Sequence, residues 1–509
     1  MRLPARSFVI TAAALLAVFA TVAVAWAETC TLELKRLDQQ SPSNSDYTYR
    51  ANYPQNVFVQ MGKDHAPMGN PAPVAAFKRI VKKEPKYQSE SPFRGVVKLG
   101  SQEYAFALDV VPPPKDKEPD AEKATKKEEK PKTGSAAAKP AGQPGFNRLY
   151  FDLNHNGDLT DDKPIDMEVQ RGPRPVGTFF HFPRVDLTLD DEGTKREYSF
   201  FLEGNTFTQP NFSYVMVRLN AAAYREGDIT LDGKKHHVVL IDFNSNGRFG
   251  DEITINARQG DMLLVDPSSS NRDSPYDVTG SDCRHYVSKL VKIDDRFYDV
   301  KISPAGDKLT LEPCSIPLGN VKNANVGFRA MIYGDQGFLK IRGKKDAPVP
   351  VPEGQWKLLS YTIDGTDVEK PKKAEEKKPE KKADEKKGSQ LESLAKELDS
   401  LIGDGSTSDA GIRPSSVSAQ ATDEYKAVKV VKGETVELPF GPPYKPTVTA
   451  QFYMDGDKHE MLSLGMSLVG SAGEICTDMT VDGGRPSKPT FTITDAKGKV
   501  VEQGSFEYG

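Results

Sequence analysis

The stretch Gly227-Asp-Ile-Thr-Leu-Asp-Gly233, followed by the apolar run Val238 to Phe243, decides the fold class. Apolar and β-branched residues alternate with polar ones within short runs, and Gly and Asp bound these runs, which is typical of a β-hairpin. The same pattern occurs at Gly95-Val-Val-Lys-Leu-Gly100, followed by Tyr104 to Asp109. The sequence therefore predicts a chain built from repeated hairpins.

An Asp/Asn-rich loop lies downstream of each of these two hairpins, in Asp152-Leu-Asn-His-Asn-Gly-Asp158 and in Asp242-Phe-Asn-Ser-Asn-Gly-Arg248. A third and weaker hairpin, Leu290 to Ile302, runs into the strand Leu309-Thr-Leu311 and has no such loop. Calcium binds roughly six to eight hard oxygen ligands. Asx side chains at loop positions one, three and five, a Gly at six and a carbonyl at seven supply most of them. Carboxylates at positions ten and eleven would complete the shell.

The two loops resemble the calcium loops of EF-hand and dockerin proteins. The resemblance covers about eleven residues in each copy. It implies side-chain ligands at the first, third and fifth positions and a main-chain oxygen at the seventh, which Asp158 and Arg248 would supply. The candidate metal ligands are Asp152, Asn154, Asn156, Asp158, Asp161 and Asp162 in the first loop, and Asp242, Asn244, Asn246, Arg248, Asp251 and Glu252 in the second.

Both loops depart from the EF-hand pattern. Position twelve is Lys163 in the first loop and Ile253 in the second, where the pattern has a bidentate Glu. The segments before them, Arg148 to Phe151 and His237 to Ile241, are predicted to be strands and not helices. Two Asn ligands lower the loop charge, which predicts a dissociation constant of ~10⁻⁴ to 10⁻³ M. The alternative is a pair of metal-free Asx turns.

Long apolar segments with a helical period are nearly absent outside Leu391 to Ile402. The predicted fold class is therefore mainly β, a multi-domain β-sandwich and hairpin-repeat architecture with disordered Lys/Glu/Pro-rich insertions and an Ig-like C-terminal module. The predicted organisation is a signal peptide over 1–27, an N-terminal β region over 28–260 with an insertion over 112–145, a second β region over 261–366, a linker over 367–424 with a short helix over 391–402, and a C-terminal β-sandwich over 425–509.

The N-terminus has the pattern of a secretory signal peptide. Arg2 and Arg6 precede an uncharged run that ends in Ala25-Trp-Ala27, a small-x-small cleavage pattern. We therefore expect a periplasmic or extracellular protein with no membrane span after signal cleavage. The alternative is an uncleaved membrane anchor, since a run of about 20 uncharged residues can also span a bilayer.

Export permits disulfide bonds. Cys283 and Cys314 are the closest in sequence of the four cysteines, and we favour a disulfide between them. Cys30 and Cys476 remain, either as a second pair or as buried thiols, because sequence alone does not decide connectivity.

Composition and motifs reduce the number of function classes that fit this chain. The chain has 68 Lys and Arg against 72 Asp and Glu and a pI near 6.1, which argues against nucleic acid as a partner. Metalloprotease, nucleophile-elbow, P-loop and Cys-x-x-Cys motifs do not occur. We therefore expect an exported, non-enzymatic cell-envelope or extracellular protein with calcium-stabilised loops. Its role would be adhesion, assembly or binding, with envelope polymers or another envelope protein as partner. The alternative is an exported hydrolase of polysaccharide or peptide with structural calcium.

Overall fold

The computed structural model describes residues 27–37, 49–50, 53–62, 67–68, 72–112, 146–167, 179–208, 212–255, 260–267, 281–325, 327–364, 414–454, 460–481 and 484–508. Within these ranges the chain contains thirty-two strands and one complete α-helix, which confirms the prediction of a mainly β protein. No helix in these ranges is both long and apolar enough to cross a membrane. The predicted signal peptide up to residue 26, the insertion from residue 113 to 145, and the predicted helix over 391–402 lie outside the described residues.

The N-terminal part contains nineteen strands and the helix. They are β1 (Glu28–Thr31), β2 (Glu33–Arg36), β3 (Gln55–Gly62), β4 (Pro67–Met68), α1 (Ala72–Ile80), β5 (Phe93–Leu99), β6 (Gln102–Asp109), β7 (Arg148–Phe151), β8 (Ile165–Asp166), β9 (Phe179–His181), β10 (Val185–Asp191), β11 (Thr194–Thr208), β12 (Phe212–Ala221), β13 (Ala223–Leu231), β14 (Lys234–Ile241), β15 (Met262–Val265), β16 (Arg284–Tyr286), β17 (Leu290–Ile293), β18 (Arg296–Ile302) and β19 (Lys308–Pro313).

These strands form four antiparallel sheets. The first hairpin lies in the sheet β5-β6-β7-β8, and the second lies in the sheet β16-β15-β14-β13-β2. The third hairpin extends into the sheet β1-β19-β18-β17. The fourth sheet has the order β10-β11-β12-β3-β4, with β9 paired to β11. All three hairpins predicted from the sequence are therefore present.

The turn of the second hairpin has the backbone that its sequence predicts. Leu231 pairs with Lys234, so the connection is the two-residue loop Asp232-Gly233. Both residues have positive φ, 50° and 80° respectively. Such turns match the right-handed twist of the strands that they join, and Asp-Gly is a preferred pair for them.

One large apolar core joins the four sheets. The first and the last strand of this part of the chain pair with each other and contribute side chains to this core. Cys30 on β1 pairs with Leu309 on β19, and both side chains belong to the core. Val238 on β14 pairs with Val265 on β15, so one sheet crosses the predicted domain boundary at residue 260. This folded unit therefore extends from β1 to β19.

The C-terminal part contains the remaining thirteen strands. They are β20 (Leu318–Lys322), β21 (Gly327–Gly334), β22 (Gly337–Lys344), β23 (Val349–Pro352), β24 (Gly354–Asp364), β25 (Pro414–Gln420), β26 (Val428–Val430), β27 (Thr435–Glu437), β28 (Lys445–Met454), β29 (Glu460–Val469), β30 (Ile475–Val481), β31 (Thr490–Thr494) and β32 (Val500–Ser505).

The C-terminal strands share their sheets with the strands before residue 366. One sheet has the order β22-β21-β24-β25-β30-β29-β28, with β26 also paired to β24, and another has the order β23-β20-β27. Trp356 on β24 is fully buried in a core that reaches Phe440. Most of the strands predicted for an independent Ig-like module over 425–509 thus lie in sheets that begin well before that boundary.

The structure contains no disulfide bond among the four cysteines, so the predicted Cys283–Cys314 bridge is wrong. The two residues lie at different sheets. Cys283 precedes β16, and its Sγ lies 3.4 Å from Ser281 Oγ. Cys314 follows β19, where its N–H donates to the carbonyl of Phe297. Proximity along the sequence did not predict the same sheet, because β17, β18 and β19 pair with β1 in one sheet whereas β16 belongs to another.

The first prediction concerns the insertion between β6 and β7. These strands pair at Asp109 and Arg148, and Asn147 clamps the base of the insertion by exchanging two hydrogen bonds of 2.7 Å with the main chain of Val111. Replacing residues 113–145 by a short Gly/Ser loop should leave the free energy of unfolding unchanged or raise it by about 1–2 kcal/mol, since closure entropy varies logarithmically with loop length. Urea unfolding measures this. As a contrast, Asn147→Ala should lower stability by about 1–3 kcal/mol. A shortened chain that no longer folds would contradict the prediction.

The second prediction concerns the C-terminal boundary. A fragment of residues 425–509 should be unfolded, because β26, β27 and β30 lose their partners β24, β20 and β25. Circular dichroism should report coil and no cooperative thermal transition. A fragment that starts at residue 315 retains these partners and should unfold cooperatively. Cooperative unfolding of the shorter fragment would instead establish an independent C-terminal module.

Candidate functional site

Both Asp/Asn-rich loops begin where the chain leaves a strand inside a sheet. The first loop, residues 152–162, follows β7, which lies between β6 and β8. The second loop, residues 242–252, follows β14, which lies between β13 and β15. Main-chain N–H groups that leave a sheet in buried surroundings need new acceptors. The loop side chains supply these acceptors.

The first aspartate of each loop is completely buried and binds main-chain N–H groups further along its own loop. Asp152 accepts hydrogen bonds from the N–H groups of Asn156 and Gly157, at 3.0 and 2.9 Å. Asp242 accepts from the N–H groups four and five residues further on, at 3.1 and 2.8 Å. The two loops, which are far apart in sequence, therefore close in the same way.

The Asn side chains at the third and fifth positions also accept main-chain hydrogen bonds, from N–H groups two residues ahead. Asn154 Oδ1 accepts from the N–H of Asn156 at 3.1 Å, and Asn156 Oδ1 accepts from the N–H of Asp158 at 2.6 Å. The equivalent distances in the second loop are 3.2 and 2.9 Å. Each contact is an Asx turn, in which a side-chain oxygen bonds the main chain two residues ahead. The side-chain oxygens thus all lie on the inside of the loop.

The glycine at position six is required in both loops. Gly157 and Gly247 have φ of 82° and 83°, in the left-handed region that favours glycine. A Cβ on Gly157 would lie 2.7 Å from the carbonyl oxygen of Ile80, and one on Gly247 would lie 2.8 Å from Leu189 Cδ1. Backbone conformation and packing therefore both exclude a larger residue.

The carboxylate at position ten lies beside the Asn side chain at position five, whereas the carboxylate at position eleven does not. Asp161 Oδ2 lies 2.7 Å from Asn156 Nδ2, and the equivalent distance from Asp251 Oδ2 to Asn246 Nδ2 is 2.5 Å. Asp162, at position eleven, instead accepts from the N–H of Leu153 at 3.0 Å. Its counterpart Glu252 is exposed to solvent. Four side chains per loop come together, at positions one, three, five and ten.

The chemistry of these groups fits a hard cation. Each loop brings together two carboxylates and two Asn side chains, whose oxygens are ligand types that calcium prefers. The oxygen and nitrogen of an Asn side chain exchange by a simple rotation, so the amides that now face Asp161 and Asp251 can present oxygen to a cation. Within the described ranges, no group of three or more His, Cys, Asp or Glu side chains has the arrangement of a metal site.

A buried carboxylate that the sequence analysis missed supports the second loop. Asp261 accepts main-chain hydrogen bonds from Phe243, Gly250 and Asp251 at 3.1, 2.6 and 2.8 Å. Burial raises the pKa of Asp261 well above its usual range, and the nearby charge of Asp242 adds to this effect. The only signal in the sequence was an aspartate just before the apolar run of β15. Asp261 binds the far side of the loop and anchors both of its ends.

Asp242 has an additional partner from another sheet. The hydroxyl of Tyr198 on β11 donates a hydrogen bond of 2.7 Å to Asp242 Oδ2. Burial raises the pKa of Asp242 to about 7, and the hydrogen bonds from Tyr198, Gly247 and Asn246 act in the opposite direction. A cation held by the loop would favour the ionised form of this carboxylate.

An ion cluster connects the second loop to the rest of the core. Asp191, at the end of β10, receives two hydrogen bonds from the Arg248 guanidinium, at 2.7 and 3.1 Å, and one from Arg196 at 2.8 Å. Asp191 and Arg196 are both buried. The Arg248 guanidinium holds the pKa of Asp191 well below its usual range, with further help from Ser101. Arg248 was predicted to contribute only its main chain, so this role of its side chain was missed.

The first loop is held by the segment that directly follows α1. Lys82 Nζ donates to the carbonyl of Asn156 at 2.9 Å, and Lys83 Nζ donates to Asp158 Oδ2 at 2.9 Å. Hydrogen bonds from Thr160, followed by Lys83, lower the pKa of Asp158 to about 2. Most of these contacts are more exposed than those of the second loop. The second loop is therefore the more deeply buried of the two.

No protein-family model, no curated protein and no solved structure matches this chain.

The third prediction concerns the ion cluster at the second loop. Asp191→Ala leaves the buried Arg196 without its carboxylate and should lower the free energy of unfolding by about 3–5 kcal/mol. Glu312→Ala serves as the matched control, because Glu312 pairs with Lys301 at the surface and its loss should cost about 0–1 kcal/mol. Denaturant unfolding measures both. Equal losses in the two variants would show that the cluster does not stabilise the core.

Proposed function

We propose that this chain is an exported, non-enzymatic structural or binding protein whose β core is stabilised by calcium in the two strand-exit loops. The observation that carries the proposal is the repetition of one geometry. Two loops 90 positions apart place an aspartate, two Asn side chains and a second carboxylate around the same turn. A single loop of this kind is an ordinary Asx turn, whereas a repeated set of converging hard oxygens favours a common ligand.

Asp152, Asn154, Asn156 and Asp161 would hold the cation in the first loop, together with the carbonyl of Asp158. Asp242, Asn244, Asn246 and Asp251 would hold it in the second loop, together with the carbonyl of Arg248. Calcium would supply positive charge that offsets the repulsion between the carboxylates of each loop. The protein positions the oxygens at positions one and three through its main chain, because these side chains already bond N–H groups of the same loop.

The position of the loops supports a role in stability. The second loop contacts the first repeat directly, since the N–H of Gly100 donates to the carbonyl of Asn246 at 2.7 Å. Ser245 Oγ, in the same loop, accepts from the N–H of Ala221 at the end of β12. A cation that rigidifies this loop would therefore stabilise contacts among three sheets.

A non-enzymatic role is favoured over the hydrolase alternative by the burial of the acidic groups. The carboxylates with strongly raised pKa, Asp242 and Asp261, are completely buried, and their oxygens are occupied by main-chain and Tyr198 hydrogen bonds. A general acid must reach the bond that it protonates. The proposed location is the periplasm or the outside of the cell, in line with the signal-peptide pattern, and calcium at about 10⁻³ M suits weak extracellular sites. Envelope polymers or another envelope protein are the partners that we propose.

The fourth prediction tests calcium binding. Millimolar calcium should raise the melting temperature of the intact protein relative to chelator, with roughly 1–3 kcal/mol available at a tenfold to hundredfold excess over the dissociation constant. Asp161→Asn and Asp251→Asn keep the side-chain shape and remove one charge from each loop. Each variant should lose part of the calcium-induced increase, and the double variant should lose most of it. Differential scanning calorimetry with and without calcium measures the increase.

The third hairpin provides the control for this experiment. Asp307 lies in its loop, where its carboxylate accepts a hydrogen bond from Ser303 at 2.6 Å, and this loop lacks the ring of Asx oxygens. Asp307→Asn should therefore leave the calcium-induced increase intact. Identical melting curves in calcium and in chelator, together with no heat of binding at millimolar calcium, would leave two metal-free turns.

A further inference from the structure

The hairpin β28–β29 projects from its sheet as a two-stranded arm, which we define as residues 445–454 and 460–469. The two strands pair along their whole length, from Lys445↔Val469 to Met454↔Glu460. In the described part of the chain, the arm joins the rest of the sheet at its base alone, where Val469 pairs with Ile475 on β30. Among the described residues, no strand lies beside most of the arm on either side.

The arm has one apolar face and one mainly polar face. Side chains two residues apart in a strand share a face, and so do directly paired residues on neighbouring strands. The register therefore places Phe452 and its partner Leu462 on the same face. The apolar face consists of Val448, Ala450, Phe452, Met454, Leu462, Leu464, Met466 and Leu468. The opposite face carries Thr447, Thr449, Gln451, Ser463 and Ser467, together with Tyr453 and Met461 near the tip.

The apolar face is open to solvent within the described part of the chain. Phe452 is 78% exposed and Met454 is 58% exposed. None of the described apolar core clusters contains a residue of the arm. A strand pair that alternates apolar and polar residues normally buries its apolar face, and an isolated two-stranded hairpin is only marginally stable in water. The arm therefore requires a covering surface.

We propose that the apolar face of the arm packs against the same face of a second copy of this chain, in a two-fold dimer. The side chains of this face expose on the order of 500 Å² per copy, since a buried aromatic side chain alone contributes roughly 150–250 Å². Two such faces reach about 1,000 Å² of total buried area, the lower limit for a specific interface. Two sheets packed face to face lie about 10 Å apart, with their side chains interdigitated. The area predicts a dimer that dissociates in the micromolar range.

The apolar face is almost free of charge. By the register, the one charged position on this face among the described residues is Glu460, at the tip of the arm, where it pairs with Met454. Along the rest of the face two copies can therefore meet without repulsion.

The fifth prediction tests this dimer on the intact mature chain. Sedimentation velocity between 1 and 100 µM, as an order-of-magnitude range around the expected dissociation constant, should show a monomer–dimer equilibrium. Phe452→Lys should weaken dimerisation at least tenfold, because it places a charge on the apolar face. Thr449→Lys, on the polar face of the same strand, should leave dimerisation unchanged. Val501→Lys on β32 replaces a residue that is 64% exposed outside the arm and should also have no effect.

Circular dichroism of each variant separates loss of dimerisation from loss of folding. If Phe452→Lys does not fold, Phe452→Ser and Met454→Ser supply the same test with smaller changes. A wild-type chain that remains monomeric at the highest concentration would overturn the proposal. So would an equal effect of Phe452→Lys and Thr449→Lys. A monomer whose arm is protected from hydrogen exchange would also overturn it, and would assign the cover to another part of the same chain.

Discussion

The structure depends on one constraint, that main-chain N–H groups leaving a buried strand must find acceptors. β7 and β14 are each followed by an aspartate whose side chain is completely buried and bonds two N–H groups of its own loop. A buried carboxylate is unfavourable unless it is well bonded. Each of these aspartates bonds the main chain of its own loop, and these bonds in turn fix the loop conformation. The strand end, the turn and the glycine therefore form one structural unit. Removing the aspartate would leave the buried N–H of the glycine at position six without this acceptor.

The second loop shows how this local unit becomes part of the tertiary structure. Tyr198 reaches Asp242 from one sheet, Asp191 binds Arg248 from the end of β10, and Asp261 returns to the loop just before β15. The loop therefore serves as a junction among strands that are distant in sequence. We infer that this is why the same sequence pattern appears twice in the chain. A loop with several inward-facing oxygens provides acceptors for its main-chain N–H groups and, under the proposed function, also binds a cation.

The sequence predicted the features that depend on neighbouring residues. Alternation and Asp-Gly identified the hairpin β13–β14, and the spacing of Asp242, Asn244 and Asn246 predicted a loop with the oxygens that the structure contains. Long-range pairing was not predictable in the same way. Asp261 acts through the return of the chain to the loop, and the pairing of β1 with β19 joins the two ends of the N-terminal unit. The favoured disulfide failed for the same reason, because closeness in sequence says little about which sheet a cysteine belongs to.

The most direct measurement of the central claim is a crystal structure of the mature protein grown in millimolar calcium. The account predicts an ion in each loop, bound to side-chain oxygens at positions one, three, five and ten, with the Asn156 and Asn246 amides rotated so that oxygen faces the ion. Position eleven should remain uninvolved, as the hydrogen bond from Leu153 to Asp162 indicates. Two ordered loops in which Asn156 and Asn246 still donate to Asp161 and Asp251, with no ion between them, would contradict it.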